Sequence, residues 1–408
     1  MRIGIWMLAA ALAVGSATAA DLNGRKITVT YGDHTTLYAP VTLPCTDSAE
    51  GKIVATDDAT ARAYPASIRN GELVFVPEGG IAKAVQTYTL SVSPREEGTE
   101  PMVRVEKRGE EAAVDVFIED VLFTTYHYDK KWKKPFLWPL NSEGGVGVTR
   151  DFPMVAEGTA KFAQDHPHHK SFWSAYGEVN GVDCWAEGGN SGDQIVDEVT
   201  FGGGDAYGWI RSKNTWKDKE GKPLLTETRE YRIYPGPEKA RLFDAHVTFT
   251  ADHGDAIFTD TKEGGVVAAR MRPELSYTNA VITNAHGDVG EKTLWGKPSP
   301  WCDFSGDMKE LGWRGLAIFD HPTNLRHPSS WHVRNYGLMG ANCFGYSYFN
   351  EEEYNKGLIP ENGDLTIAAN TSVAFQYRMY VHSGDVTAAK VADRYADYAT
   401  PPAAAWAE

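Results

Sequence analysis

"AVDVFIEDVLFTTYHY" (residues 113–128) sets Val, Ile, Phe, Thr and Tyr in near-alternation with polar side chains. β-Branched and aromatic residues fit the pleated surface of a sheet, so the stretch reads as β structure. The same texture returns on both sides of it, in "RKITVTYG" (25–32), "GELVFVPEG" (71–79), "QTYTLSVSP" (86–94), "TETREYRIYPG" (226–236), "ARLFDAHVTFTAD" (240–252) and "TSVAFQYRMYVHSG" (371–384). Gly, Pro, Asn and Asp break these runs, and 40 glycines with 21 prolines suit many turns. The clearest helical stretch is the tail "VTAAKVADRYADYA" (386–399), with apolar positions about 3.6 apart. Strands never alternate with regular helices, which excludes a doubly wound or TIM-barrel architecture. The expected fold is all-β: a small N-terminal β-sandwich module (21–110), then a large antiparallel β-supersandwich (113–400) with a short C-terminal helix. The boundary is the charged segment 93–112, which is poor in core residues.

Residues 1–20 read as a signal peptide. Arg2 precedes an apolar core, "IGIWMLAAALAV", and Ala17-Thr18-Ala19 fits the A-x-A cleavage pattern. The core is shorter than the ~20 residues of a membrane span. The expectation is therefore a periplasmic or secreted protein that does not insert into a membrane. The formal charge of -15 argues against nucleic acid or an anionic membrane as partner, since both call for basic patches. Cys45, Cys184, Cys302 and Cys343 lie far apart without a C-x-x-C pair, so a compact zinc ribbon and a redox dithiol are excluded. Disulfides and buried free thiols both stay open. No GxSxG elbow, HExxH, P-loop or EF-hand loop is present. Oligomeric state is not legible.

Chemistry concentrates in four stretches. "DHPHHKSFWSAYGEVNGVDCW" (165–185) gathers three histidines, aromatics, Glu178, Asn180 and Asp183. Pro167 favours an extended His166, and strand alternation then points His166 and His168 one way and His169 the other. That pair could ligate a metal with a third donor such as Glu178 or His332. Alternatively, imidazoles titrating near neutrality could transfer protons. Alternation sets Phe172 and Tyr176 on one face and Trp173 on the other. In "FDHPTNLRHPSSWHVRNYG" (319–337) it sets His332, Arg334 and Tyr336 on one face and Trp331 and Val333 on the other. "TDTKEGGVVAARMRPEL" (259–275) offers Glu263 as general base, followed by Arg270, and "PLNSEGGVGVTRDFP" (139–153) supplies Arg150.

Taken in order with "WCDFSG" and "YRMYVHSGD", these motifs resemble a family of exported bacterial proteins of unknown function often labelled as a methane oxygenase subunit, PmoA-like. The resemblance covers roughly residues 113–400. A membrane oxygenase subunit of that name has several spans, and this chain has no long apolar segment after residue 20, so methane oxidation is not inferred. The resemblance implies a galactose-mutarotase-like β-supersandwich and a role beside sugar-processing enzymes. Many such relatives read "HHRG" where this chain has Lys170 and Ser171, which touches acidic-sugar specificity if that position grips a ligand.

The leading expectation is a carbohydrate-active enzyme acting on a sugar or oligosaccharide, with hydrolase, lyase and epimerase chemistries all open. Its catalytic candidates are His168, His169, Glu263 and His332. Its substrate-binding candidates are Arg150, Asp165, Trp173, Asn180, Asp183, Arg270 and Arg334. No cofactor is required. The alternatives are a divalent-metal hydrolase or oxygenase with His166 and His168 as ligands, and a non-catalytic glycan-binding protein.

Overall fold

The computed structural model describes residues 22–407 apart from 48, 50, 238–239 and 359–361. The expected signal peptide lies outside the described residues. The opening stretch forms a hairpin of strands Ala113–Ile118 and Val121–His127, with Ile118 opposite Val121. Glu119 (φ 49°) and Asp120 (φ 62°) both take the left-handed conformation at its two-residue turn. That geometry matches the twist of the flanking strands.

This hairpin belongs to an eight-stranded antiparallel front sheet ordered Ser330–Arg334, Leu338–Asn342, Gly264–Arg270, Phe172–Tyr176, Phe136–Leu137, Val121–His127, Ala113–Ile118, Val103–Lys107. A second eight-stranded antiparallel sheet, the back sheet, runs Asp193–Gly202, Gly208–Lys217, Pro223–Tyr234, Ala240–Thr250, Ser372–Ser383, Trp313–Asp320, Trp301–Asp307, Ala280–Asn284. Between them lies the main core, to which Phe172, Val267, Met339 and Trp331 contribute from the front and Ile210, Tyr231, Phe243 and Met379 from the back. Period-two alternation sends Leu242 to the other side of the back sheet, beside Tyr38, Val76 and Val391. There the helix Val391–Ala399, expected from the sequence, and the N-terminal module cover it.

The module is a seven-stranded sheet, Ala403–Trp406, Lys26–Thr30, Val85–Ser93, Lys52–Asp57, Ala63–Arg69, Glu72–Phe75, Val41–Pro44. Trp406 Nε1 donates to the Pro44 carbonyl across its two edges at 2.9 Å, so the sheet rolls over its own core of Ile27, Val41, Ile53 and Leu90. Both expected limits shift. Strand Val103–Lys107, inside the charged segment, is the edge of the front sheet. Charge along "VRVEK" suits an exposed edge, which is why it resembles a linker. Strand Ala403–Trp406, beyond residue 400, belongs to the module. The four cysteines are buried and free. No helix among the described residues is long and apolar enough to cross a membrane.

Candidate functional site

Five strands of the front sheet contribute one residue each to a cross-strand row: Phe136 opposite Trp173, Trp173 opposite Ala268, Ala268 opposite Gly340, and Gly340 opposite His332. Their sequence neighbours Leu137, Phe172, Val267, Met339, Trp331 and Val333 face the main core, so the row faces away from it. The row's third and fourth members, Ala268 and Gly340, are small. The Trp185 indole packs in the cluster of Ala268, Trp173 and Leu338. Its ring centroid lies 5.5 Å from Trp173 and 6.5 Å from His332.

The histidine stretch is a turn and not an extended strand. His169 N donates to His166 O at 2.9 Å, Pro167 takes the second turn position and His166 has φ 41°. Proline's fixed φ suits that position, and the turn overrides the extended preference expected before proline. All three imidazoles consequently converge. Tyr336, His166, His169 and Trp173 form one stacked column with successive centroids 5.1, 4.9 and 5.3 Å apart. His168 stands edge-on to His169 at 4.4 Å.

Two buried charge clusters hold the turn. In the first, Arg150 Nη1 donates to the carbonyls of Ala163 (2.8 Å) and Asp165 (2.9 Å) and to Asp165 Oδ1 (2.7 Å). Its Nη2 donates to the carbonyls of His166 (2.9 Å) and His169 (3.1 Å). Arg270 donates to the same Asp165 Oδ1 at 2.6 Å and to His169 Nδ1 at 3.1 Å. Arginine has no acceptor, so His169 Nδ1 accepts and the neutral ring carries its proton on Nε2. In the second cluster, Lys134 and Lys170 both pair with Glu187, and Lys134 Nζ also donates to the Trp185 carbonyl at 2.8 Å.

A cavity of about 400 Å³ opens above this floor, lined by His166, His168, His169, Gly177, Asp183, Trp185, Ala186, Thr261, Lys262, Glu263, His332, Arg334 and Tyr336. Gly177 permits the Glu263 loop to approach: a Cβ there would stand 2.4 Å from the Glu263 carbonyl oxygen. Glu263 pairs with Lys262, and Arg334 with Glu291 at 3.3 Å. All four expected catalytic residues thus meet at one cavity. Of the expected substrate-binding residues, Asp183 and Arg334 line it, although Asp183 Oδ1 also accepts the backbone N–H groups of Trp185 and Ala186.

Four expectations are corrected. Arg150, Asp165 and Arg270 are absent from the lining and fasten the turn. Trp173 is fully buried beneath His169. Asn180 lies in an exposed bend, bonded to Asp255 and Ile257. Lys170, the position read against "HHRG", turns to Glu187 and away from the lining. For the metal alternative, no three or more His, Cys, Asp or Glu side chains among the described residues are grouped to hold a metal ion. Of the ligands expected for it, His166, His168 and His332 line the cavity and Glu178 does not. Trp185 and Tyr336 line the cavity without having been chosen, yet Tyr336 shares the alternating face of His332 and Arg334.

Burial sets the protonation of this floor. It pushes His168 down to about 3, helped by Lys134, and His332 down to about 3, helped by Arg334 and Lys262. Burial with His168 and Arg270 holds His169 well below its ordinary value. Lys170 falls to about 8 through burial and Lys134, against the pull of Glu187. At neutral pH His168, His169 and His332 are therefore neutral imidazoles, with the Glu263 side chain beside them.

An all-β supersandwich with a histidine-lined cavity on its outer face is the class that fold and site define. The chain belongs to DUF6807, a family of unknown function, which matches residues 113–396. That family's description carries no methane oxygenase label. No curated protein matches the chain. Among solved structures, it is similar to a glycosyl hydrolase family 38 protein from Enterococcus faecalis (9% identity, 96% of this chain and 49% of that one, TM-score 0.41). It is also similar to an alpha-mannosidase from the same organism (9% identity, 94% and 46%, TM-score 0.40). The chain spans about half the length of either. Likeness at this level leaves function to be argued from the site.

Proposed function

We propose that the chain is an exported carbohydrate-active protein whose cavity works on a sugar or oligosaccharide by acid–base chemistry, as a hydrolase, lyase or epimerase. The observation that carries this reading is the composition of one open cavity: the Trp185 indole, three neutral imidazoles, and the Glu263 carboxylate. A sugar ring has apolar C–H faces and a rim of hydroxyls, and this lining offers a flat apolar surface beside donors and acceptors. Its volume falls within the range of small-molecule sites.

Glu263 is the base. His169 presents Nε2–H to a substrate oxygen, and neither ring nitrogen of His168 has a hydrogen-bond partner among the described residues. A positioned carboxylate of this kind contributes roughly 10²–10⁴ in rate. The test is a panel of neutral and acidic oligosaccharides followed for new reducing ends, unsaturated products and epimers. Turnover that falls about 100-fold or more in Glu263→Gln, with the fold intact, supports the proposal. Turnover unaffected by Glu263→Gln would sink the assigned role.

A binding-only role has one observation in its favour: imidazoles held near a pKa of about 3 are poor proton carriers at neutral pH. Saturable binding of a glycan without any product would establish that reading.

A further inference from the structure

We infer that the ligand of this cavity carries an anionic group, a uronate carboxylate or a sulfate ester, seated against the His168–His169–Trp185 floor; this rests on the sugar reading above. The chain as a whole has a formal charge of -15, but beneath the cavity the balance reverses. Arg150, Arg270, Lys134 and Lys170 are each at most 2% exposed. Only two carboxylates stand against these four cations: Asp165 takes both arginines and Glu187 takes both lysines. The carbonyls around Arg150 satisfy its N–H groups without cancelling its charge. One positive charge in each cluster is left without a counter-ion, and the two clusters flank the histidine turn.

The charged lining above adds little to either sign. Lys262 pairs with Glu263 and Arg334 with Glu291, which leaves Asp183 as the one lining carboxylate outside any ion pair, its charge acting on Lys134 of the cluster below. Buried charge lacking a partner is costly, and its field is weakly screened where water is excluded. An anion above the floor would complete both clusters. The neutral imidazoles fit that role: Arg270 fixes His169 as an Nε2–H donor, so the floor offers an anion a directed hydrogen bond.

The experiment is calorimetric titration of the full chain with D-glucuronate, D-galacturonate, D-glucose, D-galactose and sodium sulfate, at low and high ionic strength. The expected result is uronate binding at least about tenfold tighter than the matching neutral sugar, weakened by salt. Arg334→Gln should weaken it roughly three- to tenfold, and Asp183→Asn, which keeps the acceptor for the Trp185 N–H, should strengthen it. Neutral sugars binding as tightly as uronates would overturn the anionic inference and leave the sugar reading standing. Sulfate binding with no affinity for any sugar would keep the anion and remove the sugar. No binding of any of the five would overturn both.

Discussion

His332 shows what burial does to a single side chain in this site. It is almost fully buried, lines the cavity, and its folded pKa is pushed down to about 3 by burial, with Arg334 and Lys262 adding to the effect. Between that value and its ordinary 6.5, the unfolded chain binds a proton that the folded chain refuses. The stabilising contribution is therefore complete above about pH 6.5 and is lost as pH falls toward 3, at up to about 1.4 kcal/mol per pH unit. In urea unfolding, the wild type should lose about 2 kcal/mol more than His332→Gln between pH 7 and pH 5. An unchanged difference between the two proteins would mean that His332 titrates normally. Arg150 makes the opposite case, a buried charge whose hydrogen bonds hold one turn in place. Arg150→Met leaves Asp165 and four carbonyl acceptors short of donors, so a stability loss of about 3–5 kcal/mol in the same measurement is expected.

Elements place these residues, and much of that placement was legible. Alternation alone set His332, Arg334 and Tyr336 on one face; strand 330–334 presents His332 and Arg334 to the cavity, and Tyr336 joins them from the turn that follows. Glu263 beside its glycines could be chosen because a loop there brings a carboxylate to a ligand. What sequence could not supply was the pairing of strands far apart in the chain. The row Phe136–Trp173–Ala268–Gly340–His332 joins segments some 200 residues apart, and only register tells that Ala268 falls beside Trp173 in the cluster that holds Trp185. The arginines misled for a related reason: an Arg on a strand reads the same whether it grips a ligand or a neighbouring turn, and burial decides. The histidine turn misled because proline supports both an extended neighbour and a turn. The row yields its own prediction. Ala268→Leu adds bulk where the indole rests, so it should cost about 1–3 kcal/mol and displace Trp185 into the cavity. Loss of ligand affinity together with a shifted tryptophan emission would show this, whereas unchanged affinity would mean that Trp185 is not supported from below.

At the scale of the molecule, the layers separate the cavity from the N-terminal module. The cavity lies on the outer face of the front sheet, while the module covers the far side of the back sheet. Arg69 forks onto Glu230 there at 3.1 and 3.2 Å, and Asp397 of the C-terminal helix accepts the backbone N–H groups of Leu37 and Tyr38. The DUF6807 match, residues 113–396, stops short of the module at both ends, since the module's closing strand Ala403–Trp406 comes from the last residues of the chain. That strand pairs Trp406 with Ile27, and Arg25 packs over the Trp406 ring at 3.6 Å. Removing it exposes a new sheet edge and one side of the module core without touching the front sheet. A chain ending at Thr400 should therefore be cut by protease first within residues 22–102, while affinity at the cavity stays as in the full chain. Equal protease resistance with and without the last strand would mean that the module is held by its contacts with the back sheet alone. A parallel loss of cavity binding would mean that the layers between them transmit strain.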